Sequence, residues 1–266
     1  MKDPTQTTGI RKAWTRQVSR RSRTLRGRVN TLFTQGRVPF DETFIEFFEA
    51  WMLAEAGKLF GGDWQDKYLD EAYEQGLESS GFDTLLDITH QRALLSLHKR
   101  ARSDLDAALR VMVSQSVEKV SSGILARDSK AKIAGEIKDR VSKIGETRAK
   151  LIANTLTPYS HNVAGVKAAE SSGEDIKYLW ITRQDEKVRT THALRNRKLY
   201  SRKAAMNLIG EPNCRCRIKP VIADERQAKK YREIRREGLA ISTEAQRERR
   251  FFATLRRAQR AEGFDG

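Results

Sequence analysis

Between residues 83 and 120 no glycine or proline interrupts the chain, and Leu94, Leu97, Ala101, Ala108, Met112 and Val120 fall near one face at helical spacing. Such a segment is a helix of about ten turns. A helix that long cannot bury its apolar stripe on itself and must lie against other helices, which commits the chain to a bundle. The flanking segments agree. After Pro39, Asp41 is placed as an N-cap, and Phe44, Phe47, Phe48, Trp51 and Met52 recur every three to four residues up to Gly61-Gly62. A second helix follows, with Trp64, Tyr68, Leu69, Ala72, Tyr73 and Leu77 on one face and Asp63, Asp66, Asp70, Glu71, Glu74 and Glu78 on the other. The aromatic stripe reads as core. Gly123 is a break and Ser129 a cap. Ile133, Ile137, Val141 and Ile144 then mark one further helix, and Thr147 to Ala169 another. Residues 39–170 are thus expected to form a helical domain.

The pattern changes at Ser171-Ser172-Gly173. Ile176-Lys177-Tyr178-Leu179-Trp180-Ile181 alternates in the manner of a strand, and Arg217-Ile218-Lys219-Pro220-Val221-Ile222 reads as a second. The expected fold is therefore mainly α, with a small α+β module over residues 171–222 near the C-terminal end. Residues 223–266 carry twelve Lys/Arg against eight Asp/Glu and read as a basic helical tail with a short apolar patch at Phe251, Phe252 and Leu255.

Charge separates two parts of the chain. Fifty-one Lys/Arg against 35 Asp/Glu leave +16, a surplus that attracts polyanions. Residues 1 to 37 hold ten Lys/Arg against the single Asp3, while residues 40 to 90 hold thirteen Asp/Glu against Lys58 and Lys67, a swing from +9 to −11. One anionic and one cationic partner explain this better than a uniform nucleic-acid coat. The first 38 residues are expected to be a flexible basic arm that orders on DNA through Arg20, Arg21, Arg23, Arg26 and Arg28. A solvated tail without a target and an organelle transit peptide are the competing readings. No stretch reaches the roughly 20 consecutive apolar residues of a membrane span. Cys214 and Cys216, the two cysteines, are too close together to staple distant segments.

The residues of chemical interest lie between the two strands. The segment runs Trp180-Ile-Thr-Arg-Gln-Asp185-Glu-Lys-Val-Arg189-Thr-Thr-His192, then, after about twenty residues, Glu211-Pro212-Asn213-Cys214-Arg215-Cys216-Arg217. A strand ending in Trp, then Asp, Arg and His at this spacing, a small loop and a closing Pro-Asn-Cys-Arg-Cys resembles the C-terminal core of the phage Mu F-like minor capsid (head morphogenesis) family. Arg148 to Thr155 resembles the helix leading into that core, so the resemblance covers roughly residues 145 to 222. The family carries Gly in the loop after the His, where this chain has Leu194-Arg195-Asn196; Asn tolerates the left-handed backbone that Gly would supply.

The residue chemistry leaves several roles open. Asp185, His192, Cys214 and Cys216 are acceptable zinc ligands and would make a four-ligand structural site, although Cys-x-Cys is a less usual knuckle than Cys-x-x-Cys. The plainer reading pairs Asp185 with Arg189 across a turn, hydrogen-bonds His192 to nearby backbone and packs both cysteines against Trp180. A nuclease built on Asp185 and His192 lacks a second acidic cluster. His90, His98 and His161 sit in helices without partners at metal spacing. The resemblance implies a non-enzymatic internal head component, active in head assembly or DNA delivery. It implies contacts with the portal protein, with the major capsid or scaffold protein, and with double-stranded DNA irrespective of sequence. Its place would be the virion head interior, after assembly in the host cytoplasm. A generic nucleic-acid-binding protein is the rival reading.

Overall fold

The computed structural model describes residues 3–35, 40–82, 86–170, 172, 175–183, 185 and 188–222. Five helices precede a small sheet module: α1 (Thr8–Gln35), α2 (Glu42–Phe60), α3 (Asp66–Ser80), α4 (Ile88–Leu125) and α5 (Lys130–Glu170), then β1 (Ile176–Ile181), α6 (Thr190–Arg195), β2 (Leu199–Tyr200), α7 (Arg202–Leu208) and β3 (Arg217–Ile222). The chain is mainly helical with an antiparallel sheet of order β2-β1-β3, as its sequence pattern indicates.

Local signals account for most boundaries. The Asp41 carboxylate accepts from Thr43 N at 3.0 Å and opens α2, and Asp87 does the same for α4 through Thr89 N and His90 N at 2.8 and 3.0 Å. The long helix runs 88–125, about five residues later than its apolar pattern alone suggests, because Asp87 supplies the cap. Ser129 Oγ accepts from Lys132 N at 3.3 Å at the start of α5. The two helices expected over 133–169 are one: α5 spans 41 residues and carries Pro158 inside it. Gly145 does not end it, since a Cβ there would meet Ser22 Oγ of α1 at 2.4 Å, so this glycine is where the two helices touch. Gly76 of α3 plays the same part against the His161 carbonyl of α5, which a Cβ would approach to 2.2 Å.

The largest departure from expectation is the N-terminal segment. Residues 8–35 are a helix within the bundle and not a flexible arm: Ile10, Trp14, Val18, Leu25, Val29 and Phe33 are buried at spacings of four and seven residues. Trp14 stacks on Tyr68 at 5.7 Å, and Phe33 meets Phe44 and Phe48 edge-on at 5.4 and 5.9 Å. Average composition hid this stripe. One large apolar side chain per turn suffices when α2, α3 and α5 supply the opposite wall, and six such burials contribute on the order of 10 kcal/mol gross. The expected basic tail over 223–266 lies outside the described residues.

α5 is the spine. It packs against α1, α3 and α4 along its length and against β3 near its C-terminal end. In the sheet Tyr178 pairs with Pro220 and Trp180 with Ile218, and Ile218 and Pro220 are buried together beneath it. Both strands fall where the alternation placed them; the two-residue β2 was not foreseen.

Candidate metal centre

Two polar side chains of α5 position the loop between α7 and β3. Buried Asn162 donates through Nδ2 to the Cys216 carbonyl and accepts through Oδ1 from Ile218 N, both at 2.9 Å. One side chain thus satisfies a donor and an acceptor of the chain as it enters β3. Seven residues earlier, Thr155 Oγ1 accepts from Asn213 N at 3.0 Å. Asn213 itself has φ +57°, a left-handed conformation that Asn adopts more readily than bulkier residues. The peptides on either side of Cys214 are therefore anchored to one helix face.

That anchoring turns both thiols toward His192, which stands in the first turn of α6 and is 3% exposed. His192 Nδ1 lies 3.3 Å from Cys216 Sγ and 3.6 Å from Cys214 Sγ, and the three potential ligand atoms all lie within 4.8 Å of one another. The other ring nitrogen, Nε2, meets Glu211 Oε2 at 2.7 Å. Glu211 is held in turn by Arg195 at 2.7 Å and by Arg189 at 3.0 Å, while Arg189 also donates to the Pro212 carbonyl. Trp180 packs edge-on against the imidazole at 5.8 Å, with the Arg195 guanidinium over its ring at 5.3 Å.

The electrostatics follow from this packing. The hydrogen bond from Cys216, helped by His192 and opposed by burial, lowers the Cys214 thiol to about 5. The Cys216 thiol moves the other way, since it donates to Cys214 and sits buried beside that developing charge. The bond to Cys214, with Glu211 behind the ring, raises His192 against the pull of burial. Burial alone would raise Glu211, but bonds from Arg195 and His192 overcome it and hold the carboxylate down at about 2. A thiolate, a second thiol and an imidazole oriented by a carboxylate are a donor set suited to a soft or borderline cation. With Zn–S near 2.3 Å and Zn–N near 2.0–2.1 Å, tetrahedral angles require N···S separations of about 3.5–3.6 Å. The 3.6 Å separation to Cys214 fits this, and the 3.3 Å separation to Cys216 is about 0.2 Å short of it. The carboxylate on the far nitrogen is the partner a metal-bound histidine needs to fix its tautomer.

Three expectations need correction. Asp185 is not among the converging ligand atoms; the Arg215 fork grips both its oxygens at 2.8 Å, and Arg183 reaches it at 3.2 Å. The expected Asp185–Arg189 pair gives way because Arg189 is claimed by Glu211 and Pro212. Nor is Asn196 the left-handed residue of its loop: its φ is −55°, Arg197 takes +62°, and the Asn196 side chain instead accepts from Thr182 N at 3.0 Å to close the end of β1. The three helical histidines have partners within the bundle: His90 with Tyr73 at 2.8 Å, His98 with Asp70 at 2.6 Å, His161 with Ser79 at 3.1 Å.

Glu211 and Asn162 escaped the sequence reading. A histidine ligand calls for an acceptor on its second nitrogen, so the acid opening Glu-Pro-Asn-Cys was a readable signal. Asn162 carries no such signal, since it is one of several polar residues, with Thr155, Thr157, Ser160 and His161, in its part of α5.

The five DNA-contact candidates also separate. Arg20 and Arg23 are exposed on α1. Arg21 donates to the Leu59 carbonyl and lies over the Trp64 ring at 4.3 Å, Arg28 pairs with Glu55, and Arg26 is partly buried. No family model matches the chain, and neither does any curated protein or solved structure.

Proposed function

We propose that this protein is a phage minor capsid protein of the Mu F-like head-morphogenesis type, an internal head component that works by binding rather than catalysis. The observation that carries the reading is the physical unity of the signature. Trp180, His192, Cys214 and Cys216 form one buried cluster, Arg189 and Pro212 brace it through Glu211, Asn213 makes the turn, and Asp185 clamps the arginine between the cysteines. A motif whose separated parts serve one closed module is what a family signature requires. In this reading zinc sits on His192, Cys214 and Cys216, fastening the start of β3 to α6.

Two surfaces serve the partners. Lys12, Arg16, Arg20 and Arg23 are exposed at spacings of four, four and three along α1, one solvent face that meets duplex phosphates without reading bases. Glu42, Glu46 and Glu49 on α2, with Glu71, Glu74 and Glu78 on α3, are exposed acids facing outward. These are the candidates for a basic patch on the portal or on the major capsid or scaffold protein. The protein would then assemble in the host cytoplasm and reside inside the head.

The test is co-sedimentation of the whole chain with portal oligomer and with duplex DNA at low and high salt. Because α1 belongs to the core, point variants replace a deletion. Gln at positions 12, 16, 20 and 23 weakens DNA binding alone, and Lys at positions 71, 74 and 78 weakens portal binding alone. Intact DNA binding without portal binding would support a generic nucleic-acid-binding protein instead. Metal-dependent cutting of DNA that is lost in His192→Ala would make it a nuclease.

A further inference from the structure

The departure of Asp185 from the ligand set leaves three protein ligands among the described residues, and those three line a cavity. A space of about 240 Å³ is walled by His192, Cys214 and Cys216 together with Arg183, Arg189 and Arg215. Structural zinc sites are closed by four protein ligands, whereas three protein ligands beside a free volume leave a coordination position for an exogenous group. The volume is many times the roughly 10–15 Å³ that one water requires, and below the roughly 300–1,000 Å³ of pockets for drug-sized ligands. A single small group with a few waters fits within it.

Charge decides which group. A divalent ion on two thiolates and a neutral imidazole carries no net charge. Around it, among the described residues, four guanidiniums (Arg183, Arg189, Arg195 and Arg215) face two carboxylates, Asp185 and Glu211, an excess of two positive charges. Guanidiniums donate to phosphate oxygens; the Arg215 fork is held by Asp185, whereas Arg183 meets that carboxylate through Nε at 3.2 Å. We propose that the metal centre is open and takes a phosphate-class dianion as its fourth ligand, steadied by Arg183 on the cavity wall. This rests on His192, Cys214 and Cys216 holding the ion, and is independent of the capsid role.

The experiment loads the full chain with Co²⁺ and follows its thiolate charge-transfer and ligand-field bands as inorganic phosphate is added. Phosphate shifts the ligand-field bands saturably, and half-saturation rises by about tenfold in Arg183→Gln, the loss of one charge-assisted bond. The phosphate-free cobalt spectrum of Arg183→Gln matches the wild type, which separates a lost anion contact from a misfolded loop. Bands indifferent to phosphate overturn the open site, as does a shift of equal affinity in wild type and Arg183→Gln. Failure to take up cobalt overturns the proposal together with the metal reading and leaves portal and DNA binding to their own assay. A 5′-phosphorylated oligonucleotide that shifts the bands, where its 5′-hydroxyl counterpart does not, supports a nucleic-acid end as the source of the phosphate. A response to inorganic phosphate alone supports the free ion.

Discussion

Replacing Asn162 with alanine tests whether one buried amide holds the metal loop to the bundle. The side chain is 2% exposed and makes two bonds of 2.9 Å, to the Cys216 carbonyl and from Ile218 N. Alanine leaves a buried acceptor and a buried donor unpaired, at about 1–3 kcal/mol each, and a small void besides. The expected loss is about 4 kcal/mol. For a chain of this size that lowers Tm by roughly 10 °C. Asn162→Asp should be no better, since the carboxylate keeps the bond from Ile218 N but opposes the Cys216 carbonyl. Urea unfolding followed by circular dichroism gives the stability, and competition with a chromogenic chelator gives the zinc affinity of the same samples. Both should fall, because the Cys216 backbone that Asn162 holds also carries a ligand. A stability loss below about 1 kcal/mol with unchanged zinc affinity would refute the reasoning, for the loop would then be held by the sheet register alone.

Four further outcomes are expected. Glu211→Gln removes the carboxylate behind His192 and should weaken zinc binding by about 10–100-fold in a chelator competition, with little change in helical circular dichroism. His161 is buried with Nδ1 unpartnered, and burial, assisted by Arg217, depresses it to about 4 from an ordinary 6.5. The unfolded chain therefore binds the proton more readily: the native state keeps its full stability above pH 6.5 and loses about 3 kcal/mol as pH falls toward 4, a loss absent from His161→Gln in matched denaturant titrations. Gln at 12, 16, 20 and 23 together should reduce the slope of log K against log salt for duplex DNA by about 0.9 for each phosphate contact removed, as read by fluorescence anisotropy. Deleting residues 1–35 should abolish cooperative unfolding, whereas a dispensable arm would leave the transition intact.

The helical bundle was legible because period is a local property. The unbroken run 83–120, the aromatic stripe from Phe44 to Met52 and the capping residues Asp41 and Ser129 each declare themselves within a few turns, and alternation marks both long strands. Helix α1 was misread because its burial depends on partners distant in sequence: Trp14 needs Tyr68, and Phe33 needs Phe44 and Phe48. Average charge over 1–37 says nothing of such walls. The same holds at the metal centre. Residue types nominated Asp185, His192, Cys214 and Cys216, but which of them converge is a matter of competition. Arg215 binds Asp185 with two bonds and keeps it from the thiols, and Glu211 takes the second nitrogen of His192. The local code therefore sufficed for the elements and for the identity of the donors. Only tertiary structure decided their partners, because a bidentate ion pair and a buried amide spanning more than fifty residues of chain are set by packing that no short window contains.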